Sequence, residues 1–96
     1  MIKVVWSDNA KHDYWQNIDF LEKNWTYKEI ENFLEKVDAV ITQLEKGTVV
    51  FKPTEKKYIY QIIVVKQITL FYRLTNQEII LLRFWNNHQN PKKFKL

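Results

Sequence analysis

Residues Tyr58–Trp85 read YIYQIIVV KQ ITLFYRLT NQ EIILLRFW, and this stretch decides the fold. It contains three runs rich in β-branched and aromatic residues, which predict strands over Tyr58–Val65, Ile68–Thr75 and Glu78–Trp85. The two-residue breaks between the runs predict tight hairpins, so we expect an antiparallel meander. Asn76 in the second break favours the left-handed conformation that a tight turn requires, whereas the break at Lys66 and Gln67 offers no such residue.

The residues ahead of the meander predict one short strand and a first helix. Lys3–Trp6 is β-branched and aromatic, which indicates a strand, and Ser7 follows it as a candidate N-cap with Asp8 in the first turn. Apolar residues then recur at spacings of three and four, the period of an amphipathic helix: Ala10, Tyr14, Ile18, Leu21 and Trp25.

A second helix is predicted to begin at a capping box. Thr26 and Glu29 stand three residues apart, so that side chain and backbone of each can bond to the other. An apolar face follows, and Gly47 is expected to end the helix. Two helices with almost no linker form an αα-hairpin.

The predicted fold is therefore a single α+β domain over residues 1–96. Its element order is β-α-α-β-β-β, with the αα-hairpin packed on one face of an antiparallel sheet. Residues 48–56, which include Pro53, are expected to be a loop, and residues 86–96 a polar basic tail.

Composition excludes several classes of protein. The content of 46% hydrophobic residues is too high for a disordered chain. The longest apolar runs, Ile62–Val65 and Ile79–Leu82, fall far short of the roughly 20 residues that cross a membrane. There is no cysteine, so thiolate metal sites are excluded. We expect a cytoplasmic protein without a membrane partner, a metal or a cofactor.

Charge is divided between the two halves of the chain. Residues 1–46 carry six lysines against nine acids, a net charge of −3, and we expect the acids on the helix faces opposite the apolar stripes. Residues 47–96 carry nine cations against two acids, a net charge of +7. Such polarity indicates attraction to a polyanion or an acidic partner.

Strict alternation divides the sheet into two faces. The face assigned to the helices holds Tyr60, Ile62, Val64, Leu70, Tyr72, Leu74, Ile80, Leu82 and Phe84. The other face holds Ile59, Gln61, Ile63, Thr69, Phe71, Arg73, Ile79, Leu81, Arg83 and Trp85. This outer face is too apolar to stand bare, so we expect either a partner or the folded-back tail, through Phe94 and Leu96, to cover it.

Short motifs along the chain resemble those of the RelE/ParE toxin superfamily. Near the N-terminus they are Trp6-Ser7-x-x-Ala10-x-x-Asp13 and Ile18-x-x-Leu21. Near the C-terminus they are Ile68-x-x-Phe71-Tyr72-Arg73, Ile79-x-x-Leu82-Arg83-Phe84-Trp85 and Gln89-Asn90-Pro91-Lys92-Lys93. In this order they span nearly the whole chain.

The resemblance implies a toxin that a cognate antitoxin neutralises, with one of two activities. RelE-like members cleave messenger RNA on the ribosome, whereas ParE-like members poison DNA gyrase without known nuclease chemistry. Both share one fold, so fold alone does not choose between them.

The residues at RelE-like catalytic positions favour the ParE-like branch. The basic residues that such enzymes carry correspond here to Gln61, Ile63 and Thr69, and their tail tyrosine has only Phe94 nearby. Arg83 alone matches. One arginine does not supply the acid, base and charge stabilisation that phosphodiester cleavage needs. A second layout in the superfamily would use Glu55 and His88, the remaining catalytic candidates.

These observations leave three hypotheses. The favoured one is a gyrase-binding toxin whose target contacts are Arg73, Arg83, Trp85, Lys92, Lys93 and Lys95, and whose antitoxin covers Ile59, Ile63, Phe71 and Leu81. Arg83 has an alternative role in holding the tail by hydrogen bonds. The second hypothesis is a ribosome-dependent ribonuclease, and the third is a non-toxic nucleic-acid-binding module. Against the third, Tyr58, Tyr60, Phe71 and Tyr72 follow core alternation and form no clear stacking platform.

Overall fold

A computed structural model of the chain describes residues 2–47 and 52–96. In chain order the elements are β1 (Lys3–Trp6), α1 (Asp8–Asn24), α2 (Tyr27–Lys46), β2 (Lys52–Pro53), β3 (Ile59–Val65), β4 (Ile68–Leu74), β5 (Glu78–Asn86) and a 3₁₀ turn (Pro91–Lys93). Within the described ranges 2–47 and 52–96, neither helix is both long enough and apolar enough to cross a membrane.

The predicted helix boundaries are confirmed by their caps. The Ser7 hydroxyl accepts a hydrogen bond from the Ala10 amide at 3.0 Å and so begins α1. At α2 both halves of the capping box form, because Thr26 Oγ1 accepts from the Glu29 amide and Glu29 Oε1 accepts from the Thr26 amide. Gly47 ends α2 in the left-handed region, with a φ of 71°.

Five strands form one sheet in the order β1-β5-β4-β3-β2. The β3-β4-β5 meander is antiparallel, as predicted, and β1 lies parallel to β5 at one edge. The expected loop over residues 48–56 contains β2, which pairs with Tyr60 and Gln61. Pro53 fits there because a two-residue edge strand leaves one side without a ladder. The part of that loop over residues 48–51 lies outside the described residues.

A β-bulge at Leu82 corrects the predicted division of the sheet faces. Tyr72 lies opposite Leu81 and Phe71 lies opposite Arg83, so Leu82 is an extra residue in β5. The bulge reverses the alternation at this point. Ile79 and Leu81 therefore face the helices and are fully buried, whereas strict alternation had placed them on the outer face.

The helical layer covers the inner face with α1 over β5 and α2 over β3. The core between the layers comprises residues from both helices and three strands, chiefly Leu21, Phe33, Val37, Leu44, Leu70, Tyr72, Ile79, Leu81 and Phe84. The prediction of an αα-hairpin packed on one sheet face is confirmed.

The β4–β5 turn does not use the left-handed conformation expected at Asn76. Among non-glycine residues in the described part of the chain, only Tyr58 has a positive φ, so the prediction for Asn76 is wrong. The β4–β5 turn is closed by Thr75, whose amide and hydroxyl both donate to the Glu78 carbonyl. The Thr75 hydroxyl also accepts from the Glu78 amide, and these bonds remove the need for a left-handed residue.

Candidate binding surface on the outer sheet face and tail

Polar side chains of the Ser7–Asn17 segment bond to the backbone of β5 beyond the end of β1. The last pair between β1 and β5 joins Trp6 to Leu81, so later residues of β5 have no neighbouring strand on that side. The Ser7 hydroxyl donates to the Leu82 carbonyl at 3.2 Å. The Asn17 amide group donates to the Phe84 carbonyl at 3.0 Å. These contacts satisfy strand groups that would otherwise lie buried and unpaired.

Asp13 continues this arrangement and connects it to Arg83. Its Oδ2 accepts from Arg83 Nε at 2.6 Å and from the Phe84 amide at 3.2 Å, and its Oδ1 accepts from Arg83 Nη2 at 3.0 Å. The hydrogen bond and charge of Asp13 raise the pKa of the guanidinium, although burial lowers it. Asp13 is only 5% exposed, which corrects the expectation that the acids lie on the outer faces of the helices.

Arg83 also holds the C-terminal tail. Its Nη1 donates to the Lys95 carbonyl at 2.8 Å, and its guanidinium carbon lies 5.7 Å from the Trp85 ring centroid. Three nitrogens of the side chain are therefore engaged by the chain itself. This hydrogen bond is the kind of contact that the alternative, tail-holding role of Arg83 requires.

The tail covers part of the outer face through one aromatic residue. The Phe94 ring centroid lies 4.7 Å from that of Phe71 and 4.9 Å from that of Trp85. The Trp85 side chain is only 9% exposed. Asn90 begins the 3₁₀ turn by accepting from the Lys92 amide, and the turn directs Phe94 back to the sheet. The expectation that the tail folds back is confirmed for Phe94.

The residues expected to bind an antitoxin have different accessibilities. Ile63 is 68% exposed, and Phe71 is half-buried beneath Phe94. Ile59 is buried within the chain. Leu81 belongs to the core as a consequence of the bulge, so the prediction that it lies on a binding face is wrong.

The remaining cations expected to contact a target are open to solvent. Arg73 lies on β4, and Lys92, Lys93 and Lys95 lie on the tail, all exposed. They share the strongly basic half of the chain. This surface can attract an anionic or acidic partner over a distance of about 8–10 Å at ordinary ionic strength.

The two acid–base candidates lie at opposite ends of the sheet. Glu55 is in the turn that leads into Ile59, at the beginning of β3. His88 follows Asn87, whose amide donates to the Gln67 carbonyl beyond the other end of β3. A seven-residue strand spans roughly 20 Å, so the two side chains do not form one site with Arg83.

His88 instead lines a polar groove between α1 and the end of β5. The groove has a volume of about 450 Å³, and its walls include Asn17, Phe20, Asn86 and Gln89. Asn86 Nδ2 donates to Asn17 Oδ1, and Asn86 Oδ1 accepts from the His88 amide. These amides are satisfied within the chain and serve to fix the end of β5.

The buried positions of Asp13 and Asn17 were not predicted from the sequence. A signal was present, since both residues fall on the same helix face as Ala10 and Leu21, at spacings of three and four. Two polar residues on a buried face must find partners, and the unpaired edge of β5 supplies them.

With this geometry established, comparison with solved structures identifies the fold. The chain is similar to the chromosomal ParDE TA system from P. aeruginosa, with a TM-score of 0.73, 15% identity, and coverage of 90% of this chain and 96% of that one. It is similar to a copper-bound mutant toxin from Helicobacter pylori, with a TM-score of 0.68, 19% identity, and coverage of 98% and 100%. It is also similar to the E. coli DinJ-YafQ complex, with a TM-score of 0.65, 16% identity, and coverage of 90% and 93%.

The chain therefore has the fold of the RelE/ParE-type toxins. No protein-family model matches the sequence, and no curated protein matches it significantly. At identities of 15–19%, the structural likeness establishes the fold alone.

Proposed function

We propose that this protein is the toxin of a type II toxin–antitoxin pair. It acts by binding a macromolecular target, DNA gyrase in the ParE-like manner, and a cognate antitoxin neutralises it. The fold supports the toxin role, because the solved structures it resembles include the ParDE and DinJ-YafQ systems.

The hydrogen bonds of Arg83 favour a toxin that binds its target over one that cleaves RNA. Its guanidinium is committed to Asp13 and the Lys95 carbonyl, and it is the single cation at a RelE-like catalytic position. A group that stabilises charge in a transition state needs free donors directed at the reacting phosphate. Because Glu55 and His88 lie at opposite ends of the sheet, these two candidates do not form an acid–base pair with Arg83.

The target contacts of this proposal are the free cations Arg73, Lys92 and Lys93. Arg83 and Trp85 contribute indirectly, because they hold the tail on which the two lysines are presented. Exposed interface charges act mainly through the association rate and its salt dependence.

The antitoxin of this proposal is a small acidic protein. Its docking site is the outer face that carries Ile63 and Arg73, an exposed apolar side chain and an exposed cation. Such a partner would complement the net charge of +7 in the second half of the chain.

The test is a supercoiling assay with purified DNA gyrase. We expect the wild-type protein to inhibit supercoiling and the variants Arg73→Ala and Lys92→Ala/Lys93→Ala to inhibit more weakly. The control is Lys11→Ala/Lys28→Ala, which removes two exposed cations from the helical side. Equal inhibition by all variants would show that these cations do not form the target-binding surface.

The absence of inhibition by the wild type would reject the gyrase target. Cleavage of ribosome-bound messenger RNA would then be measured, and cleavage would establish the RelE-like alternative. Separately, expression in bacteria should arrest growth, and co-expression of an acidic antitoxin should restore it. Normal growth without the antitoxin would argue against a toxin.

A further inference from the structure

Tyr58 occupies a backbone conformation that a tyrosine rarely adopts. Its φ is 67°, in the left-handed region that disfavours residues with a Cβ. A strained residue persists only where the surrounding structure fixes it, and such residues concentrate at functional sites.

The turn around Tyr58 fixes this conformation through its neighbours. The Thr54 amide and hydroxyl donate to the Ile59 carbonyl at 3.0 and 2.9 Å, and the Ile59 amide donates to the Lys56 carbonyl at 3.2 Å. On the other side the Leu74 amide donates to the Tyr58 carbonyl at 3.0 Å. The backbone is therefore held from both sides of Tyr58, and the ring is positioned without being buried.

The ring of Tyr58 is largely open to solvent. Tyr58 is 58% exposed, which corrects the expectation that it belongs to the core, because the strand begins one residue later at Ile59. Lys57 Nζ lies 5.1 Å from the ring centroid. An exposed aromatic ring on a strained backbone contributes little to the stability of the fold, so its position needs another explanation.

Lysines accompany this ring along the chain. Lys57 lies over the ring, and Lys52 and Lys56 are exposed in the same short segment. Glu55 is the single acid among residues 52–59. A flat ring flanked by cations combines the two features by which proteins bind single-stranded nucleic acids: base stacking and phosphate attraction.

We propose that Tyr58, with Lys52, Lys56 and Lys57, forms a binding site for single-stranded nucleic acid. A base stacks on the Tyr58 ring, and the lysines contact the adjoining phosphates. An acidic peptide would use the cations but would gain nothing from the ring, which is why nucleic acid is the favoured ligand. The site is independent of the toxin target proposed above.

The test measures fluorescence anisotropy of a labelled oligo(U) of about 12 nucleotides with the full chain, a length within the range of known single-strand sites. The central variant is Tyr58→Gly, which removes the ring and accepts a positive φ freely, so folding is preserved. Tyr58→Phe keeps a stacking ring. Tyr27→Ala is the matched control, because Tyr27 is 76% exposed but lies at the start of α2 in the acidic half.

We expect Tyr58→Gly to weaken binding roughly tenfold, since loss of one base–aromatic stack typically costs that much or more. Tyr58→Phe and Tyr27→Ala should bind like the wild type. A duplex of the same length should bind more weakly than the single strand, and poly-glutamate should compete poorly.

Equal binding by the wild type and Tyr58→Gly would overturn the proposal, as would undetectable binding by the wild type. Effective competition by poly-glutamate would also overturn it and would assign the cations to an acidic peptide. Circular dichroism of each variant confirms that the compared proteins are folded.

Discussion

Asp13 on α1 and Arg83 on β5 form an ion pair with a distance of 2.6 Å between Oδ2 and Nε. The two residues are separated by 70 positions in sequence, and the pair joins the helical layer to the last strand. Because Arg83 also donates to the Lys95 carbonyl, the same pair is connected to the end of the tail on the outer face.

Removal of the Asp13 carboxylate should destabilise the protein substantially. Asp13→Ala leaves the Arg83 guanidinium without its anion and the Phe84 amide without its acceptor, at a cost of about 3 kcal/mol. The measurement is urea denaturation followed by circular dichroism. Asp19→Ala, which removes an exposed acid from the same helix, should change the free energy of unfolding by less than about 0.5 kcal/mol. Similar stability of the two variants would mean that the ion pair contributes nothing net.

Truncation of Phe94 should release the tail while leaving the core intact. Phe94→Ala removes two ring contacts, with Phe71 and Trp85, and should cost about 1–2 kcal/mol because each aromatic pair adds to the area it buries. Hydrogen–deuterium exchange should accelerate over residues 90–96, and binding of a hydrophobic dye should increase. Phe20→Ala, at a partly exposed position on α1, is the comparison. Unchanged exchange in the tail would show that Arg83 alone holds it.

Loss of the Asn17 side-chain amide should destabilise the edge of β5 that has no neighbouring strand. Asn17→Ala leaves the buried Phe84 carbonyl without its donor, at an expected cost of about 1–3 kcal/mol. Gln16→Ala, at the adjacent exposed position, should have little effect. Exchange of the β5 amides, measured by NMR, should increase in Asn17→Ala only. Equal protection in both variants would contradict the role assigned to Asn17.

Much of the fold follows from local sequence signals. The caps at Ser7 and Thr26 and the glycine at the end of α2 are short-range features, since the groups that bond lie within a few residues of each other. Period-two alternation and two short breaks were likewise enough to predict the β3-β4-β5 meander.

The candidate surface was harder to predict because it depends on long-range register. Ile79–Leu82 is apolar throughout, so no residue in the run marks where the bulge falls. The bulge reverses the faces of β5 and places Leu81 in the core. The burial of Asp13 likewise depends on the free edge of β5, 70 positions away. The conformation of Tyr58 depends on its bond to Leu74 across the β3–β4 hairpin, which local propensity does not reveal.

The end of α2 allows a conformational penalty to be measured without a steric contribution. Gly47 has a φ of 71°, and a Cβ added there would meet no atom of residues 2–47 or 52–96 within 4 Å. Gly47→Ala should therefore lower the free energy of unfolding by about 1 kcal/mol through backbone strain alone. Gly47→Asn should lose less, because asparagine adopts the left-handed conformation more readily. Urea denaturation compares the two, with Lys46→Ala as the neighbouring control in the last turn. A loss in Gly47→Asn as large as that in Gly47→Ala would show that the penalty does not arise from φ.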